Sequence, residues 1–187
     1  MPSFPDLAEP LQSERVALRF AAERDIPDVL VAHQDDPKLY ERMGLERPPS
    51  GAELGRRGEN EPDERVTGTA VAFTILEPGD DTCRGQLDVH HVDWDHLRAE
   101  AGIWIAPQFR GRGMASDALR LVGSWLFEVC GLARLELLTE PDNMAMIACA
   151  KAAGLVEEGV LRAFVRERGQ RVDVTVLSLL PTDLVAP

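Results

Sequence analysis

The sequence predicts an α+β (α/β) domain: a mixed, mostly antiparallel central sheet of about seven strands with helices on its faces. Three observations predict it. Apolar–polar alternation at period two recurs through the front and middle of the chain. From Gly113 onward the apolar period becomes helical, and the last stretch returns to strand as a hairpin. The chain has 187 residues, no internal repeat and no linker-like stretch, which fits one domain over 1–187 with its own core.

The elements follow in order. Residues 1–14, with Pro2, Pro5 and Pro10 among small and acidic side chains, are expected as a loose tail. Residues 16–20 alternate as a strand, and Asp25 with Pro27 opens a helix carrying Ile26, Val29, Leu30 and His33. A second helical piece is expected over 37–43, and 44–67, rich in Gly, Pro, Glu and Arg, reads as loop–helix–loop, where a substrate-facing lid would lie. Strands at 69–76 and 83–92 flank the 78–81 turn, and 100–105 completes an antiparallel meander. The helix from Gly113 buries Met114, Ala118, Leu121, Val122, Trp125, Leu126 and Val129 and stops at Gly131. A short strand at 135–139, a helix capped by 141–143, and a hairpin over 160–180 with its tip at Arg168-Gly169-Gln170 close the chain.

Charge and composition exclude several function classes. The formal net charge is −12, from 32 acidic and 20 basic residues, which argues against nucleic-acid binding built on Lys and Arg contacts to phosphate. Such a field favours cationic small molecules or amine-bearing peptides, or serves solubility alone. The start lacks the basic flank and apolar core of a signal peptide, and no apolar run reaches the ~18 residues that span a bilayer. A soluble cytoplasmic protein without membrane partners is expected. Cys83, Cys130 and Cys149 share no ligand spacing and read as reduced thiols.

One segment carries chemistry. Between the 100–105 strand and the following helix lies Pro107-Gln-Phe-Arg-Gly-Arg-Gly-Met-Ala-Ser116. Glycines there let backbone N–H groups approach an anion, the helix N-terminus adds partial positive charge, and Arg110 and Arg112 add formal charge. By itself this indicates an anion at a helix start, or an ordinary turn with solvated arginines. A Walker A loop is absent, for no Gly-Lys-Ser/Thr follows the spacer. A Rossmann fingerprint fits poorly, because Ser116 stands at the third glycine position and antiparallel strands precede it.

The wider segment Ala99-Glu-Ala-Gly-Ile-Trp-Ile-Ala-Pro-Gln-Phe-Arg-Gly-Arg-Gly-Met-Ala-Ser-Asp-Ala118 resembles the central motif of GCN5-related N-acetyltransferases (GNATs), of the RimJ/RimL type in particular. The resemblance continues at Asp142-Asn143, Ala153-Gly154-Leu155 and the closing strand, and covers most of 16–180. It implies the GNAT fold, with the sheet splayed between the 100–105 and 135–139 strands and the 103–105 strand bulged. It implies acetyl-CoA as cosubstrate. The pyrophosphate would lie on Arg110, Gly111, Arg112, Gly113, Met114, Ala115 and Ser116, the pantetheine arm along the backbone of Ile103, Trp104 and Ile105, and Asn143 near CoA.

The implied reaction is direct attack of a primary amine on the thioester in a ternary complex, the amine being a protein N-terminus or a small molecule. Glu100 matches the Glu that often serves as base in this family. A homodimer is compatible with the resemblance. The pattern fails at the leaving-group acid, where Ser or Tyr is usual and Met146 and Ala150 stand instead. The only tyrosine, Tyr40, lies near the front. A non-catalytic acyl-CoA-binding or sensing module is therefore the alternative. Acceptor identity and acyl-chain length are not legible in the sequence.

Two more clusters invite chemistry. His90-His91-x-Asp93-x-Asp95-His96 is dense in metal-ligand types, but neighbours on a strand point to opposite faces, so no metal site is expected. Cys149 has no His nearby in sequence and reads as packing.

Overall fold

The computed structural model describes residues 3–167 and 169–184. Arg168, expected in the tip of the closing hairpin, lies outside the described residues. The strands are β1 (Leu11–Gln12), β2 (Ala17–Phe20), β3 (Val71–Leu76), β4 (Gly85–Asp93), β5 (Arg98–Ile105), β6 (Arg134–Thr139), β7 (Val156–Glu167) and β8 (Gln170–Leu179). The helices are α1 (Ile26–Asp35), α2 (Leu39–Arg42), α3 (Gly51–Thr67), α4 (Met114–Glu128) and α5 (Met144–Ala152).

Among the described residues eight strands form one sheet in the order β1-β2-β3-β4-β5-β6-β8-β7, one more than the sequence suggests because Leu11–Gln12 pairs with β2. Every pairing is antiparallel except β5 with β6. That parallel seam holds only Arg98↔Arg134, Ala99↔Leu135 and Glu100↔Glu136, after which the two strands part. The expected splay is present. The expected bulge within β5 is not: its register against β4 runs unbroken from His90↔Glu100 to Gly85↔Ile105.

Alternation along the strands assigns the two faces. Phe73, Ile75, Leu87, Val89, Ala99, Ala101, Leu135, Leu137, Leu177 and Leu179 form one cluster with Ala118, Leu119, Val122, Trp125 and Leu126 of α4. Each fully buried large side chain there contributes roughly 1.5–3 kcal/mol. The other face lies under α1–α3, where Trp104 clusters with Val29, Ala32 and Leu39 and is packed by Leu54.

Two expectations fail at the front of the chain. The tail is not loose: Phe4 is 4% exposed, its ring lies 5.5 Å from that of Trp94 and 5.7 Å from that of Trp125, and its N–H donates to the Arg65 carbonyl. An aromatic ring finding two indoles gains enough buried area to hold a proline-rich segment down. The 44–67 stretch carries a 17-residue helix running to Thr67, with no trailing loop. A reciprocal Ser50–Glu53 capping box starts it, and it contains Pro62 without ending there.

Candidate active site

The parting strands lead directly to the Arg/Gly turn. After Ile105 the chain makes one 3-10 turn over Pro107–Phe109 and then reaches Gly111 and Gly113, at φ +73° and +79°. A side chain at either position would strain the left-handed backbone, which is why the turn needs glycine. The α4 ladder begins with Asp117 N–H to Gly113 C=O at 3.1 Å. The N–H groups of Met114, Ala115 and Ser116 therefore stand ahead of any intrahelical acceptor, at the positive end of the helix.

The side chains of the turn are already engaged. Met114 is buried in the core, and Ser116 Oγ donates to the Cys149 carbonyl at 3.0 Å, tying α4 to α5. Arg110 Nε donates to the Ile105 carbonyl at 2.8 Å, and its terminal nitrogen reaches Asp36 at 2.7 Å. Burial would raise the Asp36 carboxyl, but the Arg110 guanidinium and the Lys38 N–H outweigh it and hold the group below the usual carboxylate range. Arg112 donates to the Gln108 carbonyl and lies over the Phe109 ring at 5.2 Å.

Glu100 sits at the last pair of the seam, on the α1–α3 face with Gly102 and Trp104. Its side chain is 24% exposed, and Oε2 lies 3.1 Å from Nδ1 of His91. Here the expectation for the histidine pair is overturned. Between His90↔Glu100 and Asp93↔Arg98 the register slips, so His91 and Val92 oppose the single residue Ala99. His91 takes φ +48° to make this bulge. The bulge breaks the alternation on which the opposite-faces expectation rests. The His90 and His91 rings meet edge to face with centroids 4.7 Å apart, and both lie beside Glu100.

The surrounding face is polar. Asp88, with a side chain 27% exposed, lies 3.6 Å from Arg57 of α3, and desolvation lifts its carboxyl above the usual range against that partner. Burial pushes the His90 imidazole down, and His91 pushes in the same direction. Deeper in, Asp25 accepts from Arg19 at 2.6 and 2.9 Å, from Thr74 at 2.6 Å and from the Ala22 N–H at 2.9 Å. Among the described residues, His33 and the Trp104 indole nitrogen find no hydrogen-bond partner although buried, their rings 6.4 Å apart.

Across the gap, Asn143 caps α5: its Oδ1 accepts from Met146 N–H and its Nδ2 donates to Thr139 Oγ1 at 2.9 Å. Met146 packs against the core and Ala150 is fully buried. Tyr40 stands on α2, its hydroxyl 3.2 Å from Glu41 Oε1. Burial pushes the Cys149 thiol up, with its Sγ 3.4 Å from Ser116 Oγ.

Comparison with known proteins places this fold in a family. A family model described as an acetyltransferase (GNAT) domain matches residues 15–156. The chain belongs to the GNAT acetyltransferase family. Its activity class is N-acetyl transfer from acetyl-CoA. This GNAT chain is 28% identical over 172 residues to the uncharacterized N-acetyltransferase p20 of Bacillus licheniformis, covering 92% of this chain and 96% of the relative. It shares its fold with RimL, a ribosomal L7/L12 alpha-N-protein acetyltransferase solved in complex with coenzyme A (TM-score 0.80, 20% identity, 92% and 98% of the two chains). It likewise shares it with spermidine N-acetyltransferase from Vibrio cholerae, solved with CoA and spermine (TM-score 0.77, 20% identity, 93% and 100%). Among the described residues no helix is long and apolar enough to cross a membrane.

Two residues of this GNAT site escaped the sequence reading. Asp36 restrains Arg110 from an element 74 positions away. His91 reaches Glu100 only through the bulge. The bulge shows in the sequence only as a three-residue step from Val89 to Val92 where strict alternation takes two, and the Asp36–Arg110 contact has no local signal.

Proposed function

We propose that this single-domain cytoplasmic GNAT enzyme acetylates a primary amine by direct attack on acetyl-CoA in a ternary complex, with Glu100 as the base. One observation carries the reading: Glu100 holds the last pair of a seam that opens toward the Arg110–Ser116 turn. Acetyl-CoA laid along that opening sets its pyrophosphate on the free N–H groups of Met114, Ala115 and Ser116, with Gly111 and Gly113 clearing the approach. Arg110 and Arg112 supply the countercharge. The pantetheine arm lies along the backbone of Ile103, Trp104 and Ile105, and the N–H groups there polarise the thioester carbonyl. Asn143 borders the same channel.

An alkyl ammonium has a pKa near ~10, so at neutral pH its proton must leave before attack. Glu100, directly or through a water, takes that proton. The nitrogen lone pair then adds to the thioester carbonyl carbon, the C–S bond breaks, and CoA departs as a thiolate. A thiol of pKa ~8.5 leaves without a side-chain donor, which suits the apolar packing of Met146 and Ala150. The acceptor is a cationic amine, drawn by a chain of net charge −12. RimL and spermidine N-acetyltransferase mark its two classes, a protein N-terminus and a polyamine.

The test is thiol release from acetyl-CoA with a panel of N-terminal peptides, polyamines and aminoglycosides. Turnover with at least one amine is expected, and Glu100→Gln lowers kcat by about 10²–10⁴-fold with acetyl-CoA affinity unchanged. The packed Met146 favours a second reading, an acyl-CoA-binding or sensing module. Measurable acetyl-CoA binding without turnover of any amine would replace the first reading with that one.

A further inference from the structure

We propose that His90, His91 and Glu100 form a binding site for a borderline divalent cation of the Zn2+ type. The three side chains converge so that one ligand atom from each lies within 4.8 Å of the other two. They come from two adjacent strands, His90 facing Glu100 directly in the β4–β5 register and His91 brought round by the bulge. Nothing about strand pairing requires a histidine at the bulge. A left-handed φ of +48° suits glycine, and a β-substituted residue there is strained. The strained residue holds its imidazole 3.1 Å from a carboxylate and at right angles to a second imidazole.

The donor set points to the class of ion. Two imidazoles and one carboxylate suit Zn2+ and its transition-metal neighbours, whereas Mg2+ and Ca2+ favour oxygen-only shells. Metal–ligand bonds near ~2.0–2.2 Å place the ligand atoms of a tetrahedral ion roughly 3.3–3.5 Å apart. Closing the present spread takes side-chain rotation, and His91, whose side chain is 74% exposed, has room to rotate. The same exposure gives the ion an entry path and leaves the fourth position to water. The acidic field of the chain raises the local concentration of any divalent cation.

An ion bound there occupies the Glu100 carboxylate, so it inhibits acetyl transfer. That consequence rests on Glu100 as base, and the binding itself does not.

The experiment is calorimetric titration of untagged, chelator-treated full-length protein with ZnCl2, then with MgCl2. One equivalent of Zn2+ is expected. His90→Ala and His91→Gly each weaken it by tenfold or more, the latter while relieving the backbone. His96→Ala leaves the affinity unchanged, although His96 lies 3.0 Å from Asp93 close by. Wild-type Zn2+ affinity in His91→Gly, a loss in His96→Ala equal to that in His91→Gly, equal affinity for Mg2+, or no binding at all would each overturn the site. Zn2+ binding that depends on His91 but leaves turnover untouched keeps the site and removes Glu100 as base.

Discussion

The two faces of the sheet are built on opposite terms. The face toward α4 is apolar from Leu18, Phe73 and Ile75 across Leu87 and Ala101 to Leu137 and Leu177, with the Thr139–Thr175 pair at its end. The face toward α1–α3 carries Arg19, Thr74, Asp88, His90, Glu100 and Glu136 on neighbouring strands, interrupted by Trp104. The first face needs only shape and burial, and it makes the strands stay together. The second takes charge out of water, which is costly unless each group is paired or put to use. Asp25 is fully paired. Among the described residues, Glu100 has one ion-pair partner, an exposed histidine on a strained bulge, and Asp88 has one, Arg57, at 3.6 Å. Apolar burial is concentrated on one face and charge on the other.

Substitutions test that division. Phe73→Ala on the apolar face, where the ring is fully buried and meets Trp125 edge-on at 5.4 Å, is expected to cost about 3–5 kcal/mol in urea unfolding. Turnover per folded molecule stays the same, and a selective loss of kcat would show that the faces are not separable. Thr74→Val on the polar face removes a 2.6 Å hydrogen bond to a buried carboxylate and is expected to cost about 1.5–3 kcal/mol by the same measurement.

Acid tests the polar side, where the shifted groups Asp25, His33 and His90 all lie. Burial alone would raise Asp25, but its bonds from Arg19, Thr74 and Ala22 prevail and hold it below its ordinary value. Its folded pKa is thus below the unfolded one. The stability it contributes is fully present above about pH 4 and is lost as pH falls through the folded value. His33 and His90 are pushed down by burial, so unfolding takes up protons below about pH 6.5 and stability starts to fall there. A urea midpoint measured from pH 8 to pH 3 is expected to fall in two stages, with the first flattened in a His33→Phe, His90→Ala double variant. The smallest effect is His91→Gly, which is expected to stabilise by about 1 kcal/mol through relief of the left-handed backbone. A loss of stability there would mean that the His91–Glu100 contact outweighs the strain.

Periodicity made most of the fold legible. The change from period two to a helical period falls at Gly113, where α4 begins, and Asn143 caps α5 as its residue type suggests. The Arg/Gly turn lies between the strand and the helix expected to flank it. What escaped depends on partners distant in sequence. Phe4 is held by Trp94 and Trp125, and no rule for a proline-rich start anticipates two indoles so far along the chain. Gly55, Gly58 and Pro62 all penalise a helix locally, although the Ser50–Glu53 capping box was a signal for α3. The bulge at His91 leaves only the Val89-to-Val92 step in the pattern, and its place against Glu100 comes from the partner strand.

The three-pair seam has a consequence for solubility. An open sheet has two edges, and this one has four: β1 and β7 outside, and the diverging flanks of β5 and β6 within. The outer β7 edge exposes Val160, Leu161 and Phe164, but two register shifts kink it away from flat pairing with another chain. The inner pair has no such irregularity along β5 against β4. The proposed pantetheine arm, pairing its amides along β5 as a ninth strand would, is expected to leave the loaded protein with fewer templates for aggregation than the empty one.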